Sequence, residues 1–417
     1  MSKNYNFVLI DCNNFYVSCE RIFQPKLNNS PVLVLSNNDG CIIARSNEVK
    51  DLGINMGDPI FKYKALIEKH NIKIFSGNLT LYGDISKRVM QIIENNWPDI
   101  EIYSIDEAFI KVNEESDVAK LCINIQNQIK KYLSIPVSIG VGKTKTQAKL
   151  ANLIAKSYKK NNIFDIRRKD LQDRVMSKLD VDKIWGISKA MKERLAKLYI
   201  FKISHLRDAN RDVIRKKCSI TGLRIRDELN DISCLDLNKV EDKKSIRFSR
   251  SFGKIITEKK DIEQAVANYA FLAAEKLRKQ RSKVSNIYVF LRTNKFNIKD
   301  KQYNNNITLS FNYPTNETSK IISLAKIAVN EIYKKGYNYK KTGIILLNLV
   351  SEDYNQINIF NNNNSNKIDT MIDEINNKMG KKVIFYASQG VKKDWKMRSD
   401  NKSLDYTTNI NHILEVN

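Results

Sequence analysis

Sulfur and imidazole ligands are scarce in this chain. Its 417 residues include six cysteines and three histidines, and no two of the cysteines form a Cys-x-x-Cys pair. Structural zinc sites are built from closely spaced Cys and His side chains, so this composition argues against a zinc site. The scattered cysteines instead indicate reduced thiols.

Long apolar stretches are also missing. The sequence has no run of about 18 apolar residues, the length that a membrane-spanning helix needs. The residues from Met1 to Asn6 do not show the charged, apolar and small-residue segments of a secretory signal. We therefore expect a soluble protein of the cytoplasm with no membrane partner.

Acidic residues are strongly outnumbered. There are 71 Lys and Arg residues against 46 Asp and Glu residues, which gives a formal net charge of +25. This excess favours a polyanionic partner, and nucleic acid is favoured over an anionic membrane surface. The chain length indicates about two to four domains.

Strands and helices alternate over residues 1–165. Short apolar runs such as Phe7–Ile10 and Val137–Gly142 predict buried strands, and two further runs across Asp39-Gly40 predict a hairpin. This alternation is typical of an α/β or α+β domain with a central sheet. Gly142-Lys143-Thr144 ends like a phosphate-binding loop, but the first glycine of that motif is replaced by Val137, so we reject this interpretation.

Residues 173–230 predict short helices separated by two glycine turns. One turn contains Gly186 and precedes a basic helix at Lys189–Lys197, and the second is predicted at Thr221–Leu223. A plain helical hairpin would explain the glycines. A helix-turn-helix unit whose backbone amides bind DNA phosphates would also explain the basic helix, and the charge favours it.

A second α+β domain is predicted after a polar linker at residues 231–244. Its first strand, at 245–252, places one set of side chains on one face and a second set on the other. The two sets are Arg247, Ser249 and Ser251, and then Ile246, Phe248, Arg250 and Phe252. Residues 351–417 predict a flexible linker and a small appended region for partners.

Three carboxylates stand at the ends of predicted strands. Asp106 and Glu107 lie between two apolar runs, and Asp11 follows the run Phe7–Ile10. A polar hairpin turn alone would account for the Asp-Glu pair, whereas a turn or bulge beside Asp11 would let all three carboxylates converge. Such ligands suit Mg²⁺, and two ions about 4 Å apart can support nucleotidyl transfer.

Several long motifs, in order along the chain, resemble the Y-family translesion DNA polymerases of the UmuC type. The resemblance extends over essentially the whole chain. The motifs that carry it are Asp11–Glu20, Ser36–Ser46, Met56–Pro59, Tyr103–Phe109, Val181–Ile187 and Ser249–Gly253.

This resemblance implies a multidomain α+β fold, the right-hand polymerase. Residues 1–20 and 76–165 would form the palm, 21–75 the fingers, 166–232 a helix-hairpin-helix thumb, and 245–350 the little finger domain. Residues 351–417 would form a C-terminal tail. The implied activity is error-prone synthesis past damaged template bases in the SOS response, and the sequence contains no second carboxylate cluster placed for a proofreading exonuclease.

The resemblance also implies roles for residues of the active site. Asp11, Asp106 and Glu107, with the backbone carbonyl of Cys12, would hold two Mg²⁺ ions, Asp11 and Asp106 bridging both and Glu107 serving the ion nearer the primer terminus. Tyr16 matches the steric gate that excludes a ribose hydroxyl, although without the resemblance a packed aromatic would be the simpler interpretation. Residues implied to bind the incoming nucleotide are Tyr16, Arg45, Lys50 and Lys156. Asn47 stands where many relatives carry tyrosine, so no triphosphate contact is assigned to it.

Partners follow from the same resemblance. Primer-template DNA would contact residues of the thumb and the little finger domain: Gly186, Ser188, Arg247, Ser249, Arg250 and Ser251. Gln356, Ile359 and Phe360 resemble the short peptide that docks polymerases on the sliding clamp, by inserting two apolar side chains into a pocket. A processed UmuD dimer and RecA filaments are further implied partners.

Two other functions compete with this one. A palm-type nucleotidyl cyclase would use the carboxylates but leave the thumb-like turn, the basic strand and the clamp peptide without a role. A non-catalytic DNA-binding scaffold would not need Asp11, Asp106 and Glu107 together. The polymerase interpretation uses all of these features.

Overall fold

The computed structural model describes residues 5–157, 161–238, 241–353, 366–379 and 383–413. These residues form two compact units. The first contains the described residues within 1–34, 42–239 and 402–417, and the second those within 35–41 and 240–401. Both units combine helices and sheets, so the predicted mixed α+β class is confirmed.

A five-stranded sheet forms the centre of the first unit, in the order β5-β6-β1-β7-β8. Strand β1 is antiparallel to both of its neighbours, whereas β8 is parallel to β7. Seven of the eight residues of β1 are buried, as its apolar run predicts. The strands are β1 (Tyr5–Cys12), β5 (Ile100–Ile102), β6 (Glu107–Asn113), β7 (Val137–Gly142) and β8 (Ile163–Asp165).

Helices cover both faces of this sheet. Val8 and Ile10 of β1 join the core formed with α4 and α5, while Phe7 and Leu9 pack with Ala148 of α6. The alternation follows from the opposite directions of successive strand side chains. The helices are α1 (Phe15–Phe23), α4 (Leu79–Asn96), α5 (Val118–Leu133) and α6 (Lys145–Ala155).

A smaller sheet lies between α1 and α4 in the sequence. Its strand order is β3-β2-β4, so the two runs flanking Asp39-Gly40 are neighbours as predicted. Its elements are β2 (Val32–Leu35), β3 (Ile42–Arg45), α2 (Asn47–Asp51), α3 (Lys64–Lys69) and β4 (Lys73–Ser76).

The next segment is helical, with α7 (Lys169–Lys178), α8 (Lys189–Ala196), α9 (Ile203–Asp208) and α10 (Arg211–Leu229). Gly186 has a φ of 91° and forms the predicted turn before α8. The second predicted turn, at Thr221–Leu223, is wrong. Gly222 is buried inside α10, where an added Cβ would lie 2.5 Å from the Cβ of Cys218, and the irregular backbone lies at Ser219, where φ is 66°.

The predicted linker is fixed to the first unit over much of its length. The Asp236 carbonyl accepts a hydrogen bond of 2.7 Å from the Lys145 ammonium, and Asn238 N donates one of 2.7 Å to Glu101. Lys145 and Glu101 are both buried and form an ion pair. Sequence patterns did not indicate this docking, because each residue alone looks like a solvated charge.

The second unit contains a four-stranded antiparallel sheet in the order β11-β10-β12-β9. Helices α11 and α12 pack on one face, where Ile287, Val289 and Leu291 join their apolar side chains. The elements are β9 (Ile246–Ile256), α11 (Lys259–Lys279), β10 (Ser282–Thr293), β11 (Asn304–Thr315), α12 (Thr318–Ile332) and β12 (Tyr339–Ser351).

The C-terminal residues contribute to each of the two units. Helix α13 (Asn366–Lys378) is bound to the second unit through Asp373, which accepts a hydrogen bond of 2.7 Å from Arg278. Trp395 is buried there against Tyr269, whereas residues 402–413 pack on the first unit. The small appended region predicted within residues 351–417 is therefore folded over 366–379 and 383–413, where it forms part of each unit.

Two further observations bear on the composition. In the described part of the chain, no helix has both the length and the apolar character needed to cross a membrane. All six cysteines are free, and Cys41 and Cys234 are the two that are not fully buried.

We expect Gly140→Ala to destabilise the first unit. A Cβ at this position would lie 2.2 Å from the Ala148 carbonyl oxygen of α6. This steric overlap can be relieved only if one of the two backbones moves. The free energy of unfolding should fall by about 2 kcal/mol or more. Gly83→Ala is the matched control, since nothing lies within 4 Å of its added Cβ in α4. That variant should gain about 0.5–1 kcal/mol from helix propensity. Thermal denaturation followed by circular dichroism tests both, and equal midpoints would contradict the expectation.

Candidate active site

The strand register brings the three predicted carboxylates to one edge of the central sheet. Asp11 pairs with Glu107 across β1 and β6, and the Asp106 carbonyl accepts a hydrogen bond of 2.9 Å from Cys12 N. Asp11 is 5% exposed at the end of its strand. The backbone therefore fixes all three residues relative to one another.

A tight turn holds the Asp-Glu pair, as the sequence predicts. The Ser104 hydroxyl donates to Asp106 Oδ1 at 2.6 Å and accepts from Glu107 N at 3.1 Å. Tyr103 N and Ser104 N both donate to the Glu107 carbonyl. Strand β6 starts at Glu107, so Asp106 lies in the turn and is free of the strict alternation of strand side chains.

Lysines of the α6 segment neutralise two of these carboxylates. Lys156 Nζ lies 2.7 Å from Asp11 Oδ2, and Lys149 Nζ lies 3.0 Å from Glu107 Oε2. Over the described ranges, no three Asp, Glu, His or Cys side chains have the arrangement of a metal site. Lys156, Lys149 and Ser104 each hold one of the three carboxylates.

The electrostatics of Asp11 still favour a cation. Burial raises the pKa of Asp11 to about 7, and the adjacent Glu107 carboxylate acts in the same direction while Lys156 opposes both. Burial also raises the pKa of the Cys12 thiol, which suits a packing role for that side chain. Oxygen ligands of this kind match the preference of Mg²⁺, so the donor set fits the predicted cofactor.

The basic residues assigned to the nucleotide converge beside Asp11. Burial lowers the pKa of Lys50, and the positive charges of Arg45 and Lys156 lower it further. Lys50 Nζ donates to Asn14 Oδ1 at 2.6 Å and to Asn47 Oδ1 at 3.0 Å. Clustered positive charges of this kind form a site for a polyanion such as a triphosphate.

Tyr16 lies in α1, one turn from the end of β1, and is half-buried. Its ring stacks on Tyr82 of α4, with centroids 4.7 Å apart and an interplanar angle of 19°. Burial raises the pKa of Tyr16, and the Asp106 charge adds to the effect. The predicted gate is therefore close to the carboxylates and is supported from behind by a second aromatic ring.

Sequence patterns missed Lys149 and its aromatic surroundings. Its ammonium lies 4.4 Å from the Tyr103 ring centre and 5.0 Å from that of Trp185. Lys149 precedes Lys156 by seven residues, about two helical turns, so the shared face was visible in the spacing. The contact with Trp185 was not, because it depends on how the 181–187 turn packs.

The outer face of the second unit's sheet is basic and aromatic. The guanidinium groups of Arg292 and Arg247 lie 4.8 and 5.7 Å from the Phe290 ring centre. Lys341 pairs with Ser251 on one side and Arg292 on the other, and burial lowers its pKa together with the charges of these arginines. Phe290 itself is 1% exposed beneath these basic groups, so the surface that they present is basic and suited to nucleic acid.

The predicted DNA-binding residues lie on both faces of one strand of the second unit and in one turn of the first unit. Arg247 is exposed, and Ser249 and Ser251 share its face by alternation. Arg250 pairs with the buried Thr342 and so belongs to the opposite face, as its position in the sequence indicates. In the first unit, exposed Gly186 and Ser188 form the turn before α8, where the Ser188 hydroxyl accepts from Met191 N at 3.2 Å. The predicted clamp residues Gln356, Ile359 and Phe360 lie outside the described residues.

Three segments of the chain match known families. Residues 10–152 match the impB/mucB/samB family, and residues 243–359 match the C-terminal domain of that family. Residues 366–416 match a domain of unknown function.

Relatives match along nearly the whole chain. The protein UmuC of Salmonella typhimurium is 36% identical over 98% of this chain and 100% of its own. The protein MucB of Escherichia coli is 34% identical over 98% of both chains. A DNA polymerase IV of Bacillus velezensis is 24% identical over 95% of this chain and 96% of its own.

Solved structures share the fold. A chimera of the Y-family DNA polymerases Dbh and Dpo4 has a TM-score of 0.67 at 21% identity and covers 83% of this chain and 99% of its own. A ternary complex of Dbh DNA polymerase has a TM-score of 0.55 with the same identity and coverage. A right-hand polymerase fold with carboxylates at the edge of its central sheet defines the class, and the chain belongs to the Y-family DNA polymerases. Within this class it is a member of the impB/mucB/samB family, together with UmuC.

Lys50→Ala is expected to weaken nucleotide binding. Loss of one ammonium from the Arg45, Lys50 and Lys156 cluster should raise the KM for a dNTP about tenfold, the effect of one charged hydrogen bond. Single-nucleotide primer extension gives KM, and filter binding gives the affinity for primer-template DNA. Lys69→Ala, an exposed lysine of α3, is the control and should leave KM unchanged. An unaltered KM for Lys50→Ala would remove Lys50 from the nucleotide site.

Proposed function

We propose that this protein is an error-prone translesion DNA polymerase. It transfers a nucleotide from a dNTP to a primer 3′-hydroxyl under the direction of a template, past damaged bases, as part of the SOS response to DNA damage. Its family membership and its similarity to UmuC and to DNA polymerase IV support the polymerase class. The ternary complex of a structural relative supports DNA and a dNTP as ligands.

One observation carries this proposal furthest. Asp11 and Glu107 face each other across paired strands, Asp106 is bonded to the same strand end, and lysines approach from α6. Carboxylates grouped beside a cluster of cations match a reaction in which a negatively charged triphosphate must be held and cleaved.

Asp11, Asp106 and Glu107, with the Cys12 carbonyl, are the residues that would hold two Mg²⁺ ions. When bound, such ions activate the attacking hydroxyl and stabilise the leaving pyrophosphate. The tight turn at Ser104 and the register of β1 with β6 fix the positions of these ligands. Rigid positioning reduces the reorganisation that the reaction needs.

The basic residues bind and orient the nucleotide. Lys50 and Lys156 supply positive charge for the triphosphate, and Arg45 is assigned to the nascent base pair. Asn14 and Asn47 hold the Lys50 ammonium in place. Tyr16 lies beside the carboxylates, where its ring would exclude a 2′-hydroxyl from the sugar position. Half-burial and the stack on Tyr82 keep that ring in place.

DNA binding is assigned to two surfaces. The turn at Gly186 and Ser188 presents the N-terminal end of α8 to phosphates, and the outer face around Arg247 supplies charge without base-specific groups. We keep the sliding clamp as a partner through Gln356, Ile359 and Phe360. A processed UmuD dimer and RecA remain proposed partners from family resemblance.

The proposed domains follow the sheets and helices. The palm, 1–20 and 76–165, contains the five-stranded sheet, and the fingers, 21–75, contain most of the three-stranded sheet. The thumb, 166–232, contains α7 to α10, and the little finger domain, 245–350, contains the four-stranded sheet. The competing cyclase and scaffold functions leave one or more of these parts without a role.

Primer extension tests the polymerase function directly. With Mg²⁺, the full chain should extend a primer on undamaged and abasic templates. Asp106→Ala should reduce extension by about a hundredfold or more, because it removes a ligand at the reacting centre. Asp99→Ala, an exposed carboxylate of the same unit, is the control and should keep wild-type rates.

Two results would contradict the proposal. DNA binding without extension in the wild-type chain would favour the scaffold. Conversion of free nucleotides that needs neither primer nor template would favour the cyclase.

Tyr16→Ala tests the steric gate. The shorter side chain leaves room for a ribose hydroxyl, so discrimination between a dNTP and the matching rNTP should fall about tenfold or more. The measurement is the ratio of kcat/KM for dCTP and CTP opposite a template guanine. Tyr5→Ala removes another half-buried tyrosine of the same unit, at the opposite end of β1, as a control for the loss of a ring. An unchanged ratio for Tyr16→Ala would contradict the assignment of Tyr16 as the steric gate.

A further inference from the structure

A buried carboxylate that the proposed reaction does not use lies behind the active site. Glu20 is 0% exposed in α1, where it follows Tyr16 by one helical turn. Its Oε1 accepts hydrogen bonds from the Tyr82 hydroxyl at 2.5 Å and from the Ser403 hydroxyl at 2.9 Å. Its Oε2 is buried and has no hydrogen-bond partner among the described residues.

Such a group is costly in an apolar interior. A carboxyl group with one unsatisfied oxygen destabilises the fold relative to a packed apolar side chain. Its surroundings are largely apolar, with Val17, Cys19 and Leu81 among the buried residues of the same two helices. A specific role for its two hydrogen bonds would account for the carboxylate at this position.

The first hydrogen bond leads to the gate. Tyr82 is fully buried, and its ring is stacked on Tyr16. Glu20 therefore fixes the hydroxyl end of Tyr82, while the ring face of Tyr82 supports Tyr16. Tyr16 and Glu20 belong to the same helix. Tyr16, Tyr82 and Glu20 are therefore linked pairwise, by the ring stack, by the hydrogen bond and by the helix backbone.

The second hydrogen bond comes from the C-terminal region that matches the domain of unknown function. Asn78 Nδ2 holds Ser403 in place through bonds of 3.2 Å to the Ser403 hydroxyl, the Ser403 carbonyl and the Leu404 carbonyl. Asn78 also caps α4, the helix that carries Tyr82. The Tyr406 ring stacks on Phe23 at the end of α1, with centroids 4.6 Å apart.

We propose that this C-terminal region takes part in sugar discrimination. Ser403 orients Glu20, Glu20 orients Tyr82, and Tyr82 holds the ring of Tyr16 at the angle that excludes a ribose hydroxyl. Ser403, Glu20 and Tyr82 are positioning residues, since none of them needs to touch the nucleotide. The inference rests on the proposed function of Tyr16 as the gate.

The consequence of losing Ser403 follows from the geometry. Without the serine hydroxyl, Glu20 Oε1 keeps one donor, and the carboxylate is free to rotate toward the backbone or toward Lys402. The Tyr82 hydroxyl then loses a fixed acceptor, and the stack beneath Tyr16 loosens. A small displacement of a gate ring is enough to admit one additional oxygen atom.

The experiment measures the ratio of kcat/KM for dCTP and CTP in the full-length protein, opposite a template guanine. Ser403→Ala should lower this ratio about threefold or more, mainly through faster incorporation of CTP. Ser403→Thr keeps the hydroxyl and should restore the ratio. Tyr82→Phe keeps the ring but removes its hydrogen bond, and should resemble Ser403→Ala. Ser399→Ala changes an exposed serine of the same C-terminal region and should match the wild type.

The outcomes separate this inference from the function on which it rests. If Tyr16→Ala lowers the ratio while Ser403→Ala and Tyr82→Phe do not, the positioning role is overturned and the gate stands. If Tyr16→Ala has no effect, the gate itself fails. A parallel loss of dCTP and CTP incorporation in Ser403→Ala, with an unchanged ratio, would mean that Ser403 only stabilises the fold and would also overturn the proposal.

Discussion

The pairing of β1 with β6 is the constraint on which the active site depends. It places Asp11 opposite Glu107 and bonds the backbone of Cys12 to that of Asp106. Carboxylates so close to one another repel, and the strand would be less stable if no cation compensated for them. Lys156 and Lys149 provide that compensation from α6, which packs on the same sheet. The close approach of α6 depends in turn on the absence of a side chain at Gly140.

Features that arise from short segments could be predicted from the sequence. The strand β7 has the predicted bounds Val137–Gly142, and the predicted run Phe7–Ile10 lies inside β1, because a short apolar run alone determines a buried strand. The turn at Asp106 and the left-handed Gly186 were also predictable, since turn residues act locally. Gly222 was misplaced because a buried helix crossing and an exposed turn both favour glycine.

Features that depend on contacts between distant segments were not predictable. Lys149 is seven residues from Lys156, yet nothing in its neighbourhood indicates Tyr103 and Trp185 as partners. Glu20 appears in the sequence as an ordinary helix charge, and its burial depends on Ser403, which lies 383 residues away. The polar start of the C-terminal region suggested a flexible linker, and composition did not indicate how the small appended region after it packs. A few anchors, among them Trp395 and Tyr406, determine its packing instead.

The uneven burial of the six thiols has a practical consequence. Cys12, Cys19, Cys122 and Cys218 are buried, while Cys41 and Cys234 are partly accessible. Cys41 belongs to the second unit and Cys234 to the first. A maleimide dye therefore reaches one natural attachment point in each unit without any substitution. The native chain can thus carry fluorophores at these two thiols, and their emission would report on the surroundings of each thiol when DNA is added.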